Sequence, residues 1–265
     1  HTLLNKVIHI DKGIVTKIDT EGFDASLAYV HVTPAFIDLQ IYGAGGKLLS
    51  VFPEADTIEK IYQYCVAGGA HYFQPTIASQ TKEVIYAAID AVKVYQHNGG
   101  KGCIGLHIEG PWLNVVKKGA HDANIIHSPS INEVEDLLAY GKEHISMITL
   151  APEVCDPAIV DLIQEAGIVV SAGHSDASYD VATSFLNHPI RVATHLFNAM
   201  SPLQHRAPGM VGAILNHPTA MCSLVADGYH VDFNAIKIAK KIMGDRLFCI
   251  TDAVTTTSAG PYQHY

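Results

Sequence analysis

Eight short apolar runs recur along the chain: residues 35–41 (AFIDLQI), 71–77 (HYFQPTI), 102–109 (GCIGLHIE), 145–151 (ISMITLA), 168–174 (IVVSAGH), 191–197 (RVATHLF), 221–227 (MCSLVAD) and 247–253 (LFCITDA). Their apolar residues are consecutive rather than strictly alternating, the pattern of strands buried on both faces of a parallel sheet. Helices are predicted between them over 56–69, 82–96, 131–143, 156–167 and 233–244, several closing on Gly, a common C-cap. Eight such repeats predict a (β/α)8 barrel. An open doubly wound sheet would need a Gly-rich phosphate loop after its first strand. The segment IYGAGGK there matches neither G-x-G-x-x-G nor a P-loop. Ahead of the barrel, residues 6–20 (KVIHIDKGIVTKIDT) alternate around Asp11-Lys12-Gly13 and predict a β-hairpin. The sequence closes on SAGPYQHY, just past the eighth strand, so the barrel is expected to be truncated there, without its eighth helix.

Composition narrows the partners. With 265 residues, 48% hydrophobic and 16% charged, the chain has apolar surface for a large core and is not disordered. A net charge of −9 with no Lys/Arg cluster speaks against nucleic acid and against anionic membrane surfaces. No apolar run approaches the ~20 residues of a spanning helix, and HTLLNKVIHID lacks the marks of a signal peptide. Cys65, Cys103, Cys155, Cys222 and Cys249 form no CxxC pair, and four sit among apolar neighbours. They are expected to be small buried hydrophobes of a reducing compartment, the cytoplasm.

In a barrel of this type chemistry gathers where the strands end, at the C-terminal face. Those ends carry Gln40, Gln74, His107 and Glu109, His174, His195, Asp227 with His230 close behind, and Asp252. Glu109, His174 and His195, from three different strands, make a two-histidine, one-carboxylate set, a ligand count used by catalytic zinc. A metal so held acidifies its water and polarises a nearby carbonyl. Asp252 can then accept the water's proton and pass it to a leaving amine. Each residue alone has a plainer reading: a hydrogen-bonded structural His, a Glu109 that caps the turn at Gly110-Pro111, an Asp252 that caps a helix. Four separate strands placing costly groups on one face weigh against all of these together.

The segments HIEGPWLN, KGAHD, SAGHSDA, THLFNAMSPLQHRAPGMVGAIL, ADGYHVD and ITDAV together resemble the N-acetylglucosamine-6-phosphate deacetylase family of the amidohydrolase superfamily, from about residue 7 to the end. The resemblance implies a barrel over residues 34–265, flanked by a small β-domain of which residues 1–33 are the N-terminal share. It implies that Glu109, His174 and His195 hold one divalent metal ion, Zn2+ or alternatively Fe2+, Co2+ or Mn2+, and that Asp252 is the general base and acid. His121 is similar to the family histidine that contacts the acetyl carbonyl. The stretch around Asn198 and Ala199, with Arg206 and His230, resembles the part that binds the sugar phosphate, in a homodimer. Arg206 also fits on chemistry, since a guanidinium suits bidentate phosphate recognition. Many amidohydrolases carry His-x-His on the first strand for a second metal. Here Gln40 and Tyr42 stand in those places, neither a good transition-metal ligand, so a single ion is expected.

The expected activity is therefore hydrolysis of the N-acetyl group of N-acetylglucosamine 6-phosphate to glucosamine 6-phosphate and acetate, by attack of the metal's hydroxide. The alternatives are deacetylation of N-acetylgalactosamine 6-phosphate or another N-acyl compound, and a metal-free sugar-phosphate-binding paralogue without catalysis.

Overall fold

The computed structural model describes residues 5–24, 26 and 33–257. The closing segment 258–265, and with it the expected truncation, lies outside the described residues, as does part of the expected small β-domain. The chain divides into two compact units, His1–Ala35 and Phe36–Tyr265.

In the first unit β1 (Val7–Asp11) and β2 (Ile14–Asp19) pair antiparallel, with a register slip between His9 and Ile10. Lys12 and Gly13 both have positive φ, 49° and 79°. That conformation matches the right-handed twist of the two strands it joins.

The second unit is the barrel. Its strands are β3 (Phe36–Ile41), β6 (Ala70–Ile77), β7 (Leu106–Glu109), β8 (Ile145–Leu150), β9 (Val169–Ala172), β10 (Val192–Ala193), β11 (Met221–Val225) and β12 (Leu247–Ile250). They pair in sequence order, all parallel. The ring closes between first and last: Ile41 bridges Ala253, Tyr42 N donates to Ala253 O at 2.9 Å, and Asp252 N donates to Gln40 O at 2.9 Å. Asp38 reinforces the seam by accepting from Thr251 N and Thr251 Oγ1. A two-residue ribbon, β4 (Gly43–Ala44) and β5 (Lys47–Leu48), follows the first barrel strand.

Helices α1 (Ala55–Ala67), α2 (Lys82–His97), α3 (Ile131–Gly141), α4 (Pro157–Glu165) and α7 (Phe233–Met243) fall where periodicity predicts them. Sequence supplies their starts: Ser130 and Glu133 form a reciprocal capping box on α3, Asp156 caps α4 with Pro157 at its first position, and Asp232 caps α7. Each turns an apolar stripe inward, such as Val134, Leu137 and Leu138 of α3, onto Ile108, Ile148 and Val170 of the sheet. Two more helices, α5 (Tyr179–Asn187) and α6 (Gly209–Asn216), complete the set among the described residues. All five cysteines are free. Cys65 and Cys222 are buried as expected, but Cys103 and Cys155 are only half-buried and Cys249 is exposed, because among the described residues no helix follows β12 to cover its outer face.

Candidate metal centre

The site lies at the C-terminal mouth of the barrel. Glu109 is the last residue of β7, while His174, His195 and Asp252 each follow the end of their strand by two residues. These three have left-handed backbone, with φ of 48°, 42° and 54°, and Phe197 (79°) and Ala199 (49°) join them in the loop after β10. Left-handed backbone costs a non-glycine residue roughly 1–2 kcal/mol. Five of the seven such residues among those described lie at this mouth, the clustering expected where geometry serves a function. Strand β10 is correspondingly short, since the turn at His195 ends it.

Glu109 is only 1% exposed, and its two oxygens meet unlike neighbours. Oε1 accepts from Gln40 Nε2 at 3.0 Å and lies 3.1 Å from His195 Nε2 and 3.3 Å from His174 Nε2. Oε2 accepts from the Tyr42 hydroxyl and from His121 Nε2, the latter at 3.2 Å. Burial works to raise the Glu109 pKa, but the electrostatic pull of the imidazoles around it, His174 foremost, and the hydrogen bond from His121 outweigh it and hold the carboxyl well below its usual range. Glu109 is therefore an anion in a nearly dry site.

Backbone carbonyls fix the imidazole tautomers. His174 Nδ1 lies 2.8 Å from Lys117 O, and His195 Nδ1 lies 3.1 Å from Asn198 O. A carbonyl only accepts, so each Nδ1 carries the proton and each neutral ring presents a bare Nε2. Those two bare nitrogens are 3.1 Å apart, beside Glu109 Oε1. Three lone-pair atoms at 3.1, 3.1 and 3.3 Å repel one another unless a cation sits among them. A tetrahedral ion with bonds of about 2.0–2.1 Å spaces its ligands by roughly 3.3 Å, so the residues fit such a group. The same demand appears at His195: burial lowers its pKa, but the hydrogen bond and charge of Glu109, aided by Asp252, outweigh that and raise it.

His121 is held the other way round. Its Nδ1 accepts from Ser79 N at 3.1 Å, so Nε2 bears the proton it gives to Glu109. By proximity alone Glu109, His121 and His174 form a trio with ligand atoms within 4.8 Å. His195, like His174, turns a bare Nε2 to Glu109, whereas His121 is a hydrogen-bond donor to it. Gly119 (φ 55°) lets the His121 loop pass close by, since a Cβ there would stand 3.4 Å from His174 Cε1.

Asp252 Oδ1 is buried and has no hydrogen-bond partner among the described residues. Burial, and then the charge of Glu109, push its pKa up to about 6. Asn198 contributes its carbonyl to His195, and Ala199 O accepts from Ser175 N at 3.1 Å. Arg206 is exposed and makes no hydrogen bond or ion pair with the described residues. His230 is also exposed, its Nδ1 donating to Asp227 Oδ2 at 2.7 Å. Gln74 donates to Ser146 Oγ and does not join the cluster. The sequence puts Gln40 at the functional end of the first strand and treats it and Tyr42 as non-ligands, without their contacts to Glu109. Their period-two spacing, which puts both on one face of the first strand, was the signal that they reach the site together.

Fold and site together define a (β/α)8-barrel protein with a candidate metal centre at its C-terminal mouth. N-acetylglucosamine-6-phosphate deacetylase of Haemophilus influenzae is 35% identical over 256 residues, 95% of this chain and 64% of that protein. N-acetylgalactosamine-6-phosphate deacetylase of a Shewanella species is 34% identical over 83% of this chain and 56% of that protein. The crystal structure of N-acetylglucosamine-6-phosphate deacetylase from Pasteurella multocida superposes with a TM-score of 0.85 at 34% identity, over 97% of this chain and 69% of that one. No protein-family model matches the chain. The chain belongs to the N-acetylglucosamine-6-phosphate deacetylase family, and it spans about three-fifths of the length of the curated relatives it matches. No helix among the described residues is long and apolar enough to cross a membrane.

Proposed function

We propose that the protein hydrolyses the N-acetyl group of N-acetylglucosamine 6-phosphate, releasing acetate and glucosamine 6-phosphate. The observation that carries this reading is the meeting of Glu109 Oε1 with the bare Nε2 atoms of His174 and His195 at 3.1 to 3.3 Å, in a chain whose relatives are named for that reaction. Glu109, His174 and His195 would hold one divalent ion, which when bound acidifies water and polarises the acetyl carbonyl. Zinc suits the donor set, and iron, cobalt and manganese accept it too.

The remaining steps fall to this chain's own groups. Asp252 takes the proton of the attacking water on its unpartnered Oδ1 and hands it to the departing amine. A pKa near 6 suits both halves of that exchange. His121 turns its Nε2–H to the acetyl oxygen, where negative charge develops. Arg206 supplies positive charge for the 6-phosphate and His230 an imidazole that can hydrogen-bond it, with the backbone at Asn198 and Ala199 shaping that end of the pocket. A homodimer in the cytoplasm belongs to the same proposal.

The Shewanella relative favours N-acetylgalactosamine 6-phosphate as a second substrate. The test is acetate release from both phosphorylated sugars and from unphosphorylated N-acetylglucosamine, with and without a chelator. Release only from a 6-phosphate, and only with the ion present, is expected. Binding of the sugar phosphate by ion-replete protein with no acetate formed would make it a non-catalytic paralogue.

A further inference from the structure

The two oxygens of Glu109 are served by different chemistry, and Tyr42 is the residue that keeps them apart. Oε1 faces the two bare imidazole nitrogens, whereas Oε2 faces two donors, Tyr42 O–H and His121 Nε2–H. A carboxylate oxygen offers about two lone-pair sites, so these donors fill Oε2. The direction of the Tyr42 hydroxyl is fixed: its oxygen accepts from Gln40 Nε2 at 2.8 Å, and its own proton is then free for Glu109. Gln40 in turn donates to Oε1 at 3.0 Å, so one amide from strand β3 and one phenol from the residue just past its end brace the whole carboxylate. In the proposed reaction His121 gives its Nε2–H to the substrate, and Tyr42 is then the standing donor on Oε2.

We propose that Tyr42 is a positioning residue that caps Glu109 Oε2, so that Glu109 meets the ion through Oε1 alone. This rests on the metal reading of the site given above. Without the cap, Oε2 is free to swing onto the ion as a second ligand, and the carboxylate loses the brace that orients it.

The test is Co2+ binding to purified wild-type and Tyr42→Phe protein, followed by equilibrium titration and by the visible absorption band of the ion, with thermal unfolding as a check on folding. Wild type is expected to take one Co2+ per chain with the strong band of low coordination number. In Tyr42→Phe the band should weaken several-fold as coordination rises, and affinity should fall about 10–100-fold, the usual effect of losing an outer-shell partner. A folded variant with the wild-type band and affinity overturns the inference and leaves the metal reading intact. Wild type that takes up no ion overturns that reading, and the inference with it. A second measurement needs no variant: the infrared carboxylate stretches of wild type on Co2+ addition. A split between asymmetric and symmetric stretches that widens supports one-oxygen binding, and one that narrows overturns it.

Discussion

Two polar layers lie one above the other inside this barrel: the hydrogen-bond chain that starts at His107 closes on itself, whereas the layer at the mouth is short of partners. In the lower layer His107 Nδ1 donates to Leu39 O, which leaves Nε2 to accept from Thr149 Oγ1 at 2.7 Å. That choice orders the rest: Thr194 donates to Thr149 at 2.9 Å, and Ser171 donates to Thr194 at 2.6 Å. Burial pushes the His107 pKa down to about 4, so this ring is neutral and the chain is complete within the protein. At the mouth, two imidazoles and a carboxylate turn lone pairs on one another, and Asp252 Oδ1 has no partner among the described residues. Both layers are buried and rich in the same residue types. What separates a structural network from a site is whether its hydrogen bonds close without a guest.

The sharpest way to break the comparison is to remove what the mouth is built around. Glu109→Gln takes away the anion that opposes the cation, so metal content should fall to background and acetate release with it. Full metal occupancy in that variant would mean that the mouth is as self-sufficient as the layer beneath. Chelation of the wild-type protein is the gentler form. An ion held at 100 times its Kd adds about 2.7 kcal/mol of stability, so a chelator should lower the thermal midpoint of wild type and leave that of Glu109→Gln unmoved.

Asp252→Asn is expected next in size. The amide keeps shape and neutralises a carboxyl that burial already disfavours as an anion, so fold and metal content should persist. Turnover should drop about 10²- to 10⁴-fold, the usual worth of a positioned proton carrier. Wild-type turnover in Asp252→Asn would leave the orphan oxygen without a role.

Some of this contrast is legible in the sequence, and the parts that are not have identifiable causes. Consecutive apolar runs give the barrel, and strand-end placement marks Glu109, His174, His195 and Asp252. Strand lengths are overestimated where a left-handed residue cuts the strand short, as at His195, whose run of seven apolar-rich residues yields a two-residue β10. Helix α5 went unpredicted because its nine residues include Thr183, Ser184 and the β-branched Val181, a weak helical signal that tertiary packing overrides. The tautomers depend on the carbonyls of Lys117 and Asn198, which belong to loops folded against the site. The bracing of Glu109 by Gln40 and Tyr42 crosses 69 and 67 positions of sequence, and no local spacing encodes it.

Arg206 extends the contrast to the rim, as an exposed guanidinium with no partner among the described residues. Arg206→Ala should raise KM for the 6-phosphorylated sugar about 10- to 100-fold, the range of one charge-assisted hydrogen bond of 1.5–3 kcal/mol, with little change in kcat. An unchanged KM would remove Arg206 from the phosphate end.

The smallest functional effect is expected from the lower layer, and it is the one that tests the comparison from the other side. Thr194→Val keeps the shape but deletes the hydroxyl that links Ser171 to Thr149. Ser171 then has no acceptor and Thr149 no donor, with both side chains fully buried. Leaving such buried groups unsatisfied costs about 1–3 kcal/mol, which in a chain of this size lowers the thermal midpoint by roughly 2–4 °C for each kcal/mol. Metal content and KM should stay at wild-type values, because the mouth is tied to β10 through its backbone: His195 N donates to Ser223 Oγ at 2.8 Å and does not involve the Thr194 hydroxyl. A variant that kept its stability but lost its ion would show that the two layers act as one network, and the distinction between a closed structural chain and an open site would not hold in this barrel.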